Sequence, residues 1–288
     1  MSVDLHVHSS ASDGTVMPAE LPAMAAAAGL SALALTDHDT VDGLEKFLAR
    51  QQEFPDVELI GGVELSSSCG ARELHIVGLF IDHKNRQLLD FLQGMKAERI
   101  ARAEAMISKL RTLNYQVSWD DLAEAGMTGD VPGRPHFAQV LVKKYNFPDT
   151  KSVFDRLLKR GCGGFVPRQL PPPEDVIKII KAAGGTAVWA HPFSSRSNEN
   201  NFISRTIRTL QDHGLDAIEA YYSEYTDTKT ATALRMAKEY HLAVSGGSDF
   251  HGSIHPDIQL GCGRGNLHVP DSVLTELLET RRPKVVIV

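Results

Sequence analysis

The sequence has no long apolar run. None reaches the roughly 18 residues that a membrane-spanning helix needs. The N-terminus, MSVDLHVHSS, lacks a basic start followed by an apolar stretch, so no secretory signal is expected. Cysteine is scarce. Cys69, Cys162 and Cys262 are odd in number, scattered and without a CxxC pair, which argues against both a disulfide framework and a thiolate zinc site. A cytoplasmic location is the resulting expectation. There is no basic excess either: the net charge is −6 with histidines neutral. A protein that grips long nucleic acid usually carries a basic face, so an anionic substrate would have to be held locally here. Internal repeats and low-complexity tracts are also missing. What remains is a chain of 288 residues, 42% hydrophobic and 23% charged, which reads as globular and long enough for a barrel with an insertion.

Hydrophobic periodicity divides the chain into alternating elements. Val3–Val7 reads as a strand, Met17–Ala28 as a helix, Leu30–Leu35 as a buried strand and Val41–Gln52 as a second helix. Val57–Leu65 and Glu73–Phe80 read as strands. The character then changes to a long helical pattern over Gln87–Leu113, continued by shorter helices to about Arg160. Alternation resumes near Phe165. Helices are expected at Pro173–Ala183, Phe202–His213 and Ala231–Tyr240, and strands at Thr186–Ala190, Ala217–Tyr221 and Leu242–Ser245. Such alternation on both sides of a helical block predicts an α/β fold, a parallel β/α barrel interrupted by an inserted subdomain. An open doubly wound sheet satisfies the same pattern. The expected limits are 1–96 with 166–288 for the barrel and 97–165 for the insertion.

The chemistry-bearing residues cluster at predicted strand ends. In Asp4-Leu5-His6-Val7-His8, residues two apart share a face, so His6 and His8 can reach one metal ion as neutral imidazoles. Asp13 follows on the loop. Then come Asp37 with His38, Glu64, His75, His191, and Asp249 with His251. A lone histidine at a strand end is usually structural, but an HxH joined by imidazoles and carboxylates at several other strand ends is hard to explain as packing, because such groups are costly to bury without partners. Imidazole and carboxylate without thiolate suit manganese, zinc or iron. Asp4 is a weaker candidate. Asp37 could orient a neighbouring ligand. Asp39 fits either a functional role or an N-terminal cap for the helix after Val41. His83, His213, His241, His255 and His268 read as surface or structural histidines.

The segments DLHVHSSASDG, LTDHD, GVELS, HIVGL, AHP and GSDFHG, in this order, resemble the motifs of the PHP (polymerase and histidinol phosphatase) family. The resemblance implies a distorted (β/α)7 barrel of the PHP type with two or three divalent ions, manganese first and zinc or iron as alternatives. Carried over by motif, His6, His8, Glu64 and Asp249 would hold one ion. Glu64, His75 and His191 would hold a second, with Glu64 as the bridge, and Asp13, His38 and His251 a third. Many relatives have histidine where this chain has Asp13, which makes the third position more acidic here.

GRPHFAQVL and KRGCGGFVP in the helical block resemble the branch that contains nucleoside 3′,5′-bisphosphate phosphatases and a 5′-to-3′ exoribonuclease acting on short RNA. That resemblance implies that the helical block caps the metal centre. It also gives Arg134 a catalytic and phosphate-binding role, His136 a substrate contact and, more loosely, Arg196 a phosphate contact. Asp249 could double as a proton acceptor. Arg99, Arg102 and Arg160 fit a solvated helix face better, and Tyr221, Tyr222 and Tyr225 are candidate stacking platforms that also fit core positions. The partners implied are a small phosphorylated nucleotide or short RNA, with no membrane and no obligate protein partner. Histidinol phosphatase, a non-catalytic nucleotide sensor and an amidohydrolase acting on C–N bonds are the alternatives. The cap motif weighs against the first and the complete ligand set against the second. The GSDFHG ending and the lack of a suitably placed lysine weigh against the third.

Overall fold

Strand β1 (Ser2–Val7) sends Val3 and Leu5 into an apolar cluster with Ala32, Ala34, Ile60, Val77, Leu79 and Val188. The alternate residues Asp4 and His6 face the other way, as a period of two requires. The computed structural model describes residues 2–70, 72–125, 132–194 and 200–281. Two compact units are present, Met1–Asp90 with Pro171–Val288, and Phe91–Leu170.

The first unit is built on seven strands in sequence order: β1, β2 (Leu30–Leu35), β3 (Glu58–Cys69), β4 (Arg72–Leu79), β5 (Thr186–Trp189), β6 (Ala217–Tyr222) and β7 (Ala243–Gly247). The sheet curls until its ends meet. The His8 amide donates to the Phe250 carbonyl at 2.9 Å, and the Asp249 amide to that of His6 at 2.9 Å. The open-sheet alternative therefore falls, and the architecture is a nearly closed seven-stranded barrel. Asp4 ties the seam. Its buried carboxylate accepts from the Ser248 amide (2.8 Å), the Ser248 hydroxyl (2.6 Å) and the Gly261 amide (2.8 Å). Burial raises its pKa to about 6 despite these donors.

A wholly parallel barrel was the expectation, and here the structure differs. β4 runs antiparallel to both β3 and β5. Alternating apolar residues reveal a strand but not its direction, since the pattern reads alike both ways. Two helices are shorter than their patterns suggest. Pro18 and Pro22 delay the first to Leu21–Ala27, because proline lacks the amide that would extend it. The second covers only Leu44–Leu48. Its predicted tail holds Gln51, whose side chain donates to the Val57 carbonyl (2.9 Å) and accepts from the Leu59 amide (2.8 Å), steering the chain into β3.

The close approach of β7 to β1 depends on Gly247. A Cβ there would overlap the backbone and Cβ of His6. Gly247→Ala is expected to destabilise the protein by about 1–3 kcal/mol, as overpacking does, measured by urea unfolding of the metal-free chain.

The second unit has its own apolar core, including Met106, Leu110, Leu122, Phe137, Leu141, Val153 and Leu158. Among the described residues, no helix is long and apolar enough to cross a membrane.

Candidate metal centre

The ends of the strands gather nine side chains. His6 lies in β1 and His8 just after it, Asp13 on the following loop, and His38 after β2. Glu64 is inside β3, His191 follows β5, and Asp249 and His251 follow β7. His75 comes near the start of β4 rather than its end. Because β4 is reversed, its beginning lies with the C-terminal ends of its neighbours, and His75 pairs with Ser66 on β3.

Glu64 is the hub. Its Oε2 is 3.3 Å from His6 Nε2, 3.3 Å from His8 Nε2 and 2.9 Å from His38 Nδ1. Its Oε1 is 3.0 Å from His75 Nδ1 and 3.1 Å from His191 Nε2. Asp249 Oδ1 is 3.1 Å from His8 Nε2 and 3.5 Å from His6 Nε2. Asp13 is 3.3 Å from His251 Nε2 and 3.8 Å from His38 Nε2. Ligands about 2.1 Å from one ion stand about 3.0–3.4 Å apart in octahedral or tetrahedral geometry, which is the range of most of these separations. Three groups could each hold a cation: His6, His8, Glu64 and Asp249; His38, Glu64 and His75; and His8, Asp13, His38 and His251. His191 joins through Glu64 Oε1.

The chemistry of the donors fits divalent ions. His6 Nε2, both ring nitrogens of His8, His38 Nδ1 and Glu64 Oε2 are buried without a hydrogen-bond partner, an arrangement that is costly unless a cation satisfies them. Without metal, protons on His8 and His75 offset the negative charge of the carboxylates. Burial opposes a charge on His8 and His75, but Glu64 and Asp249 around the first and Glu64 and Glu73 around the second outweigh it, raising each pKa to about 10. Burial likewise resists the Glu64 charge, and the surrounding imidazoles still hold its pKa well below the usual carboxylate range. The floor is closed and the rim open: the side chains of His8 and Glu64 are 0% and 1% exposed, and that of Asp13 is 55%.

Several carboxylates shape the centre without belonging to the three groups. Asp37 accepts from the Ser9 amide (2.7 Å), the Ser9 hydroxyl (2.6 Å) and the Ser12 hydroxyl (2.6 Å), folding the loop that carries Asp13. Asp39 is not a helix cap. It accepts from the Ser66 amide at 2.8 Å, two residues from Glu64. Glu219 was not among the expected site residues, and Tyr222 was expected only as a candidate stacking platform or core residue. Glu219 contacts His6 and the His191 amide, and the Tyr222 hydroxyl donates to Asp249 Oδ2 at 2.9 Å. The available signal was a lone acid in an apolar strand, AIEAYY. Tyr222 and Tyr225 are 9% and 4% exposed, too buried to act as stacking platforms. His255, expected to be unrelated, is exposed but edge-on to His251 at 5.7 Å.

Arg134 and His136 belong to the second unit, in the helix Arg134–Tyr145. His136 Nδ1 accepts from the Gly133 amide at 3.0 Å, capping that helix, and the Arg134 guanidinium lies 5.9 Å from the Phe154 ring. Arg102 donates to the Val166 carbonyl at 3.0 Å within the same unit, and Arg160 is exposed. Arg196 lies outside the described residues.

Residues 4–160, more than half of the chain, match the PHP domain family. The chain belongs to this family. This PHP chain is 35% identical to a 5′-3′ exoribonuclease of Haemophilus influenzae, over 94% of its own length and 96% of the relative's. It is 36% identical to a 3′,5′-nucleoside bisphosphate phosphatase of Chromobacterium violaceum, over 87% of each. Its fold matches the solved structure of an amidohydrolase from Chromobacterium violaceum, with bound sulfate and no metal, at a TM-score of 0.79 and 32% identity, covering 98% of this chain and 97% of that one.

Proposed function

We propose that this PHP chain is a metal-dependent phosphoesterase that hydrolyses nucleoside 3′,5′-bisphosphates, 5′-phosphorylated short RNA, or both. The observation that carries this reading is the position of Glu64. One buried carboxylate serves five imidazoles from four different segments, with orphaned donor atoms around it. The relatives' names supply the substrate class. The ions held would be manganese, with zinc or iron as alternatives. The ligands are His6, His8, Glu64 and Asp249 for one, Glu64, His75 and His191 for the second, and Asp13, His38 and His251 for the third.

Divalent ions in these positions would supply Lewis-acid activation of water and charge stabilisation on the phosphoryl oxygens. The chain's own residues do the positioning. Glu64 turns one oxygen to each side and so holds two positions in fixed relation. Asp249 is engaged at both oxygens, by His6 and His8 on one and Tyr222 on the other, which favours a ligand role over a proton-accepting one. Arg134 and His136 are assigned to substrate on their motif, and Arg134→Ala is expected to raise KM more than it lowers kcat. Three free cysteines fit a reducing cytoplasm, where we place the enzyme.

The test is product analysis with manganese-loaded protein on adenosine 3′,5′-bisphosphate, a 5′-phosphorylated RNA oligomer, histidinol phosphate and an N-acyl amino acid. Release of 3′-phosphate from the first or 5′-mononucleotides from the second is expected. Turnover of only the third would make it a histidinol phosphatase, and turnover of only the fourth an amidohydrolase.

A further inference from the structure

Strand β6 supplies none of the nine gathered ligands, yet it reaches three of them. It lies between β5, which leads to His191, and β7, which leads to Asp249. In a regular strand Glu219 and Tyr222, three residues apart, point to opposite faces. Here they do not. Glu219 pairs with Ser245 and Tyr221 with Gly246, so two steps along β6 answer one step along β7. Such a bulge re-aims the side chains that follow it, and it brings both residues to the same cavity.

Each of their contacts takes up an atom that leaves its neighbour free for a cation. Glu219 Oε1 is 3.1 Å from His6 Nδ1, leaving His6 Nε2 to face Glu64 and Asp249. The Tyr222 hydroxyl donates to Asp249 Oδ2 at 2.9 Å, leaving Oδ1 to face His6 and His8. Glu219 Oε2 accepts from the His191 amide at 2.8 Å, and His191 holds a left-handed backbone with φ 33°. A non-glycine residue rests there only when its surroundings enforce it. Glu219 is 2% exposed, and its two oxygens serve residues from two different ligand sets.

We propose that Glu219 and Tyr222, aligned by the β6 bulge, are a positioning pair that sets the affinity and coordination geometry of the divalent-ion positions. Glu219 fixes the ring orientation and tautomer of His6 and the backbone of His191, and Tyr222 fixes which oxygen Asp249 presents. Neither residue touches the reacting atoms. The inference rests on the reading of the cluster as a metal centre.

The experiment is a calorimetric titration of the metal-stripped full chain with Mn²⁺, together with the visible absorption spectrum after loading with Co²⁺. Wild type, Glu219→Gln and Tyr222→Phe are compared, with circular dichroism on the same samples. Glutamine keeps one acceptor oxygen and so can serve only one of the two partners. The dissociation constant for Mn²⁺ is expected to rise roughly ten- to a hundredfold in Glu219→Gln and about tenfold in Tyr222→Phe, as for other residues behind a metal ligand. The Co²⁺ bands are expected to move in both. Wild-type affinity and an unchanged Co²⁺ spectrum in the folded variants would overturn the pairing while leaving the metal centre intact. Absence of stoichiometric Mn²⁺ binding by wild type would overturn the metal centre itself. Tyr222→Phe removes a single hydroxyl and decides the matter alone if Glu219→Gln does not fold.

Discussion

Replacing Glu64 with glutamine is expected to abolish stoichiometric metal binding at two of the positions and to lower phosphoester hydrolysis by about a thousandfold, the scale of losing a charge-stabilising element in a closed site. The reasoning is geometric and electrostatic. Glu64 Oε2 faces His6, His8 and His38, and Oε1 faces His75 and His191. A glutamine keeps one of those acceptors, turns an amide donor towards the other set and removes the one negative charge common to both. The carboxylate is 1% exposed, so water cannot take its place. Metal content by mass spectrometry and initial rates at saturating Mn²⁺ would measure the effect. Asp13→Asn is the internal comparison. That side chain is 55% exposed at the rim, so a loss nearer tenfold is expected, confined to the outer position. Equal losses for the two variants would contradict the assignment of Glu64 as a hub.

Metal loading near neutral pH should release protons, at least one each from His8 and His75. Both have pKa values of about 10 in the metal-free protein, so both are protonated there, whereas a ligating imidazole is neutral. Apparent affinity at each of these two positions should therefore rise by about one power of ten per pH unit between roughly 7 and 9. The stability of the metal-free chain moves the other way. A histidine whose folded pKa exceeds its unfolded value of about 6.5 contributes stability that is complete below 6.5 and is lost as pH climbs towards 10. The gap in melting temperature between loaded and metal-free protein is expected to widen over that window. Glu64 and Asp249, whose pKa values are lowered, give stability that persists through this range and is lost only in acid. Calorimetry in two buffers of different ionisation enthalpy counts the protons, and a count near zero at pH 7 would contradict the protonated cluster.

Legibility in the sequence followed the distance over which each feature is encoded. His6 and His8 could be read because a strand's period of two is local. The helix Arg86–Thr112 could be read because its apolar spacing is sustained over many turns. The reversal of β4 could not, because strand direction is decided by which neighbours pair, and Ser66 meeting His75 is a tertiary fact. Asp39 fits a cap or a functional role equally on its local sequence, and only the fold shows its carboxylate drawn to Ser66, 27 positions away. Glu219 stayed hidden for a similar reason. Its partners are His6 and His191, and the bulge that aims it is visible only in the register with β7.

Two residues of the gathered cluster, His191 and Asp249, hold left-handed backbone conformations, with φ of 33° and 57°. For side chains of this kind that geometry costs about 1 kcal/mol or more each, and glycine would adopt it freely. Selection of a random library for heat resistance alone should accordingly drift towards glycine at 191 and glycine or asparagine at 249, yielding sturdier and inert barrels. Any programme to toughen this protein would have to freeze those two codons first.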